Sequence, residues 1–157
     1  GERAKLIDGV LLGDGPMNEP EGDVLEFVGD ILRRVFPTGW RVRGQSPLVL
    51  GLHTDPMPDY VVAAGSARTN PGHPQTAGLV VEIADSSLHF DTNEKRLLYA
   101  TAGIPEYWVV DINGRRLIVY RDPRNGDYAS RQELGPTDVL SPLAAPTAVV
   151  RVADMLA

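Results

Sequence analysis

The stretch that decides the fold is "LVVEIADSSLHFDTNEKRLLYATAGIPEYWVVD", Leu79 to Asp111. It opens on a continuous apolar run, Leu79 to Ala84, interrupted only by Glu82. A run of that kind reads as a central strand covered on both faces. A helical segment follows, with Leu97, Leu98, Tyr99 and Ala102 as its apolar face and Gly103 and Pro105 to end it. Asp91 and Glu94 have capping-box spacing, which predicts Asp91 as the helix N-cap. "EYWVVD" is a strand again. Asn113-Gly114 then predicts a two-residue type I′ hairpin into "RLIVYRD".

Working outward gives the remaining elements. "KLIDGVLL" (Lys5 to Leu12) reads as strand, with Asp8-Gly9 as a tight turn. Val24, Leu25, Val28, Ile31, Leu32 and Val35 fall at helical spacing from Glu21 onward, and Pro37 and Gly39 stop that helix. "WRVRGQSPLVL" is a half-exposed strand, which Pro47 bends or places at an edge. "PDYVVAA" is the next strand. Gly65 to Gly78, small and polar, reads as a mobile surface loop. "DYASRQEL" is an exposed strand, "GPTDVLSP" a loop, and Val152 to Leu156 a short helix. There is no repeat and no dividing linker. The expectation is one α/β domain over residues 1–157: a mixed central sheet flanked by helices, with a C-terminal hairpin extension.

The 157 residues suit one domain and are 43% hydrophobic and 23% charged, which is ordinary for a globular protein. The abrupt start at Gly1 leads us to expect a natural N-terminus further upstream. No apolar run approaches the roughly 20 residues of a membrane helix, and no signal peptide opens the chain. The absence of cysteine removes disulfides, zinc-thiolate sites and thiol nucleophiles, and fits a cytoplasmic location. His53, His73 and His89 are too scattered for a histidine-rich metal site. A net charge of −6 argues against a domain that coats nucleic acid electrostatically. It leaves room for an enzyme whose acidic cleft holds cations.

Two carboxylates and a lysine stand out. A buried, unpaired Glu82 would cost several kcal/mol, so a metal ion, a basic partner or exposure at a strand end must compensate it. Asp59 follows Pro58 at the head of its strand. Read alone it is a turn-capping aspartate. Two acids on adjacent strands, however, can converge as oxygen ligands for Mg²⁺. Lys95 sits in the first turn of a helix, where the macrodipole disfavours a cation. It is either a solvated residue or part of a site.

"PDYVV", "LVVEIADSSLHFDTNEK" and "YATAGIPEYWVVD" together resemble the Uma2 family, a branch of the PD-(D/E)XK restriction-endonuclease-like superfamily. The resemblance runs from "LIDGVLL" to "DVLSP". It implies that Asp59 and Glu82 bind Mg²⁺ or Mn²⁺, with the Ile83 carbonyl as a third ligand. Ala84 stands where the superfamily keeps its lysine, and the resemblance makes Lys95, on the helix, the replacement. Glu21 falls where superfamily members place an additional acid. Gln45 matches a polar residue that would touch the water or a phosphate, although an ordinary edge-strand glutamine fits as well. Asp91 is a further accessory candidate.

The implied activity is metal-dependent hydrolysis of DNA phosphodiesters. A homodimer would pair two sites on a duplex. The alternatives are a catalytically silent binding or assembly module on the same fold, or a metal hydrolase acting on RNA or a small phosphodiester. Arg33, Arg34, Arg41, Arg43, Arg68, Arg115 and Arg116 are the cations available to a phosphate backbone. The 65–78 loop is either a lid over substrate or a tolerated insertion. Asp59→Ala and Glu82→Ala are expected to abolish metal binding with little loss of stability.

Overall fold

Asn18 caps the first long helix, its side-chain oxygen accepting the Glu21 N–H at 2.8 Å. Helix α1 runs Glu19–Val35, with Pro20 in its first turn, acids at its start and Arg33 and Arg34 at its end. Each choice suits the helix termini and their dipole. The helix therefore begins two residues before the expected Glu21. Val24, Val28, Ile31 and Leu32 are buried along one face, as their spacing predicts.

The computed structural model describes residues 18–51 and 55–157 in full, and residues 2–7 and 10–16 as backbone strands. Strands β1 (Glu2–Ile7) and β2 (Val10–Pro16) pair antiparallel. The expected turn at Asp8-Gly9 lies outside the described residues, as does His53. The central sheet contains β3 (Trp40–Gly44), β4 (Tyr60–Ala64), β5 (Leu79–Ala84), β6 (Glu106–Asp111), β7 (Arg116–Arg124) and β8 (Asp127–Leu134), in that order across the sheet. Only β5 and β6 run parallel. That pairing needs a crossover, which two short helices supply: α2 (Leu88–Thr92) and α3 (Glu94–Thr101). A small antiparallel pair, β9 (Val139–Leu140) with β10 (Val150–Arg151), and a 3₁₀ turn, Val152–Met155, complete the chain. The "GPTDVLSP" segment, expected as loop, thus carries β9.

All six residues of β5 are buried, as are all six of β6. Leu79, Val81 and Ile83 pack toward α1 with Trp108, Val110 and the C-terminal turn. Val80 and Ala84 pack toward the other helical layer with Tyr99, Tyr107 and Val109. Alternation along β5 therefore sends Glu82 to the α2–α3 side. Among the described residues no helix is long and apolar enough to cross a membrane.

Three local expectations change. Asp91 is not an N-cap. It lies inside α2, while the cap positions Ser87 and Asn93 make no side-chain cap bond. The β6–β7 connection is a four-residue loop, because the ladder closes at Asp111↔Arg116 rather than next to Asn113. There the Asp111 carboxylate accepts the Gly114 N–H at 3.0 Å, and Arg115 takes the left-handed conformation (φ 48°). The two-residue hairpin occurs one turn later. Arg124 pairs with Asp127, and Asn125 (φ 52°) and Gly126 (φ 82°) both have the positive φ of a type I′ turn.

The 65–78 segment is hydrogen-bonded to its neighbours. Arg41 donates to the Asn70 and Gly72 carbonyls at 2.6 and 2.9 Å, and Arg43 donates to Gly72 at 3.0 Å. Val49 N–H reaches the Pro74 carbonyl at 2.8 Å.

Candidate active site

The β4–β5 ladder pairs Val62 with Leu79, Val61 with Val80 and Tyr60 with Val81, and there it stops. At the next step, side chains replace the backbone partners. The Asp59 N–H donates to Glu82 Oε1 at 3.1 Å. The Ile83 N–H donates to Asp59 Oδ2 at 2.7 Å. Each carboxylate thus satisfies a backbone donor on the opposite strand. An ionised acceptor makes such a bond stronger than a neutral one does. This is how two acids are accommodated beside buried strands.

The second half of the cluster comes from the crossover. Lys95 Nζ lies 2.8 Å from Glu82 Oε2 and 3.0 Å from Asp91 Oδ1. The Tyr99 hydroxyl donates to the same Glu82 oxygen at 2.9 Å. Ser87 Oγ donates to Asp91 Oδ2 at 2.7 Å, and the Tyr107 hydroxyl donates to the Asp91 carbonyl at 2.8 Å. The break between α2 and α3 at Asn93 makes this possible. Asn93 adopts φ −122°, ψ −85° and ties its amide to the His89 carbonyl at 2.7 Å. Asp91 lies in the last turn of α2 and Lys95 in the first turn of α3, still at i,i+4 spacing.

Burial here is nearly complete: Asp59 and Lys95 are 1% exposed, Glu82 and Asp91 0%. The macrodipole objection to Lys95 is answered by two carboxylates at ion-pair distance. Burial, followed by the Glu82 charge, holds the Tyr99 phenol well above its ordinary range. Burial and the Asp91 charge do the same for Tyr107. Both hydroxyls therefore keep their protons and act as donors.

The structure joins Asp59, Glu82, Ile83, Asp91 and Lys95 in one network. Ile83 enters it through its N–H. Gln45 reaches it through backbone alone: its N–H donates to the Asp59 carbonyl at 2.9 Å, φ is 46°, and the side chain is exposed. Glu21 is buried in the first turn of α1. That end of the helix is tied to the end of β5 by a hydrogen bond from the Asn18 amide to the Asp85 carboxylate. Tyr99, Ser87 and Tyr107 are the members that sequence reasoning missed. Tyr99 had a usable signal, since it lies one turn after Lys95 on the same helix face.

Other buried acids have structural partners. Glu106 accepts from Arg121, from the Trp108 indole and from the Leu143 N–H, at 2.8, 2.9 and 2.9 Å. Asp111 accepts from Arg116 at 2.7 Å. These contacts also commit much of the surface cation set: Arg116 serves Asp111, Arg115 the Ala157 carbonyl, and Arg41 and Arg43 the 65–78 loop. A cavity of about 400 Å³ beside β3, lined by Arg41, Asn70, His73 and Gln75 among others, includes none of Asp59, Glu82 and Lys95. Among the described residues no three or more His, Asp or Glu side chains form a group able to hold a metal by themselves.

The sequence model of the Uma2 family, described as "Putative restriction endonuclease", matches residues 1–153. The chain belongs to the Uma2 family. This Uma2 protein is also similar to a crystal structure described as "a putative nuclease belonging to DUF820 from Anabaena variabilis ATCC 29413". The TM-score is 0.78 at 15% identity, over 97% of this chain and 88% of the other. At that identity the likeness establishes the shared α/β fold. No curated protein matches the chain.

Proposed function

We propose that this Uma2 protein is a metal-dependent nuclease that hydrolyses phosphodiester bonds, with DNA as its substrate. The observation carrying this reading is the convergence of Asp59, Glu82 and Lys95. Two carboxylates each accept a backbone N–H from the segment opposite, and an ammonium reaches one of them from a helix. Position 84 in β5 holds a buried alanine, so the ammonium comes from α3 instead. The family's description, "Putative restriction endonuclease", and the neighbour's, "a putative nuclease", support the same reading.

The donor set is hard oxygen, and it fits Mg²⁺ or Mn²⁺. Mg²⁺ binds through one or two carboxylates and keeps water and phosphate on its other positions, so a group of three acids is not required. Asp59 and Glu82 would hold the ion, with the Ile83 carbonyl beside them. When bound, a divalent ion lowers the pKa of a ligated water and neutralises phosphate charge. The chain's own groups do the rest. Glu82 positions the Lys95 ammonium, which stabilises negative charge developing on the phosphate. Asp91 and Ser87 hold that ammonium at the cluster.

The test is cleavage of supercoiled plasmid, linear duplex, single-stranded DNA and RNA, each with Mg²⁺, Mn²⁺ or EDTA. Glu82→Gln, purified identically, serves as the control. Metal-dependent cutting that the variant loses is the expected result, and the preferred polymer fixes the substrate. Equal cutting by both proteins would remove this cluster from consideration.

One observation favours a second reading. Four site side chains are at most 1% exposed, which suits an internal ion-pair network in a fold that has lost turnover and acts by binding or assembly through its surface. Metal binding without cleavage of any polymer would select it.

A further inference from the structure

Donors from the described residues are divided unequally between the two Glu82 oxygens. Oε1 faces the strand, accepting the Asp59 N–H. Oε2 faces the helix, accepting both Lys95 Nζ and the Tyr99 hydroxyl, at 2.8 and 2.9 Å. The two helix donors do different work. Lys95 brings a charge on a long, rotatable stem that is shared with Asp91. Tyr99 brings a neutral donor on a ring that cannot move far. That ring is fully buried and packs on Tyr107 with centroids 4.9 Å apart.

The backbone under the ring is fixed as well. α3 ends in a Schellman motif, with the Ile104 N–H on the Tyr99 carbonyl at 3.0 Å and the Gly103 N–H on Ala100 at 3.0 Å. Gly103 has φ 76°, as that motif requires. The Tyr99 carbonyl thus anchors the helix end, while its hydroxyl anchors Glu82.

We infer that Tyr99 is a positioning residue for a divalent-cation site at Glu82 and Asp59: its hydroxyl fixes Oε2, which leaves Oε1 turned toward Asp59 to meet the ion. The inference rests on the metal-site reading above. It follows from a general property of metal sites: groups that hydrogen-bond a ligating carboxylate hold it in place, and losing one weakens binding by roughly 10–100-fold.

The experiment is calorimetric titration of Mn²⁺ into wild type, Tyr99→Phe and Glu82→Gln, with the melting temperature of each as a folding control. Tyr99→Phe keeps the ring and its packing. The expected result is a folded Tyr99→Phe with affinity lowered about 10–100-fold, and no measurable binding by Glu82→Gln. Wild-type affinity in a folded Tyr99→Phe would overturn the role of Tyr99 and leave the metal site standing. No binding by wild type would overturn both.

A second measurement does not depend on Tyr99→Phe folding. Site-specific 3-fluorotyrosine at position 99 keeps the hydroxyl, and its ¹⁹F resonance reports on the phenol. With diamagnetic Mg²⁺ the resonance is expected to shift with the occupancy measured by calorimetry. A resonance that stays put while the ion binds would overturn the inference.

Discussion

Asp59 and Glu82 each complete the other's strand: the Asp59 N–H ends on Glu82 Oε1, and Asp59 Oδ2 receives the Ile83 N–H. The carboxylates therefore replace one rung of the β4–β5 ladder. That changes what their removal does. From sequence alone, Asp59→Ala and Glu82→Ala look nearly neutral for stability. In the structure, Asp59→Ala strips a buried backbone donor of its acceptor, a loss of about 1–3 kcal/mol. Glu82→Ala also removes a buried ion-pair partner of Lys95, and the expected cost is about 3–5 kcal/mol. Urea unfolding in EDTA, where no metal contributes, measures both. An unchanged midpoint for Glu82→Ala would mean that the rung carries no stability.

Lys95→Met tests the other side of the pair. The variant keeps an unbranched side chain but leaves Glu82 and Asp91 close together without the ammonium between them. Breaking such a buried arrangement costs about 3–5 kcal/mol. A divalent cation held at the proposed site would offset the missing charge, so added Mg²⁺ should raise the melting temperature of Lys95→Met more than that of wild type. Equal shifts in the two proteins would place the cation elsewhere. Cleavage should be lost in either case.

The contrast between these residues and Tyr99 shows how far the sequence could be read. Glu82 and Lys95 were legible because a charge within an apolar run, or at the wrong end of a helix, breaks a pattern. Tyr99 breaks none, since its ring belongs in an apolar face and only the fold brings its hydroxyl to Glu82. Asp91 was legible but misassigned. Capping-box spacing and an i,i+4 ion pair share the same few residues, and the break at Asn93 decided for the ion pair. The burial of the apolar residues of β5 followed from their continuous run, and the buried face of α1 from its helical spacing, whereas the burial of Glu82 did not follow from either. The composition of the 65–78 loop gave no sign that Arg41 and Arg43 of β3 donate to its carbonyls, since those partners are far away in sequence.

Alkaline pH should destabilise the fold through its buried tyrosines. Burial, with neighbouring carboxylates, raises the pKa of Tyr99, Tyr107 and Tyr128 in the folded state. A raised folded value means that the unfolded chain loses these protons first. The stability they contribute is complete below the unfolded phenol pKa of about 10 and declines as pH rises above it. Unfolding midpoints in urea should therefore fall from pH 9 to pH 11. Absorbance at 295 nm checks the cause: these phenols should ionise together with unfolding. Their full ionisation in a still-folded protein would refute the account.

Two Asn-Gly pairs that look alike in sequence should respond differently to the same substitution. Gly126 sits at φ 82° in the β7–β8 turn, and a Cβ there meets nothing closer than Thr101 Oγ1 at 3.6 Å. Gly126→Ala therefore costs only the left-handed backbone penalty, about 1–2 kcal/mol. Gly114 has no positive φ, but a Cβ there would lie 2.2 Å from Asp111 Oδ2. That oxygen accepts from Arg116 at 2.7 Å and is nearly buried, so Gly114→Ala must displace a paired carboxylate. Each glycine substitution, repeated in an Asp111→Asn, Arg116→Met background, separates the two causes. The Gly114→Ala penalty should shrink when Asp111 and Arg116 are no longer charged partners, while the Gly126→Ala penalty should stay the same in that background. Both changes are read from urea midpoints. An equal Gly114→Ala penalty in the two backgrounds would show that the turn, and not the carboxylate, resists the new methyl group.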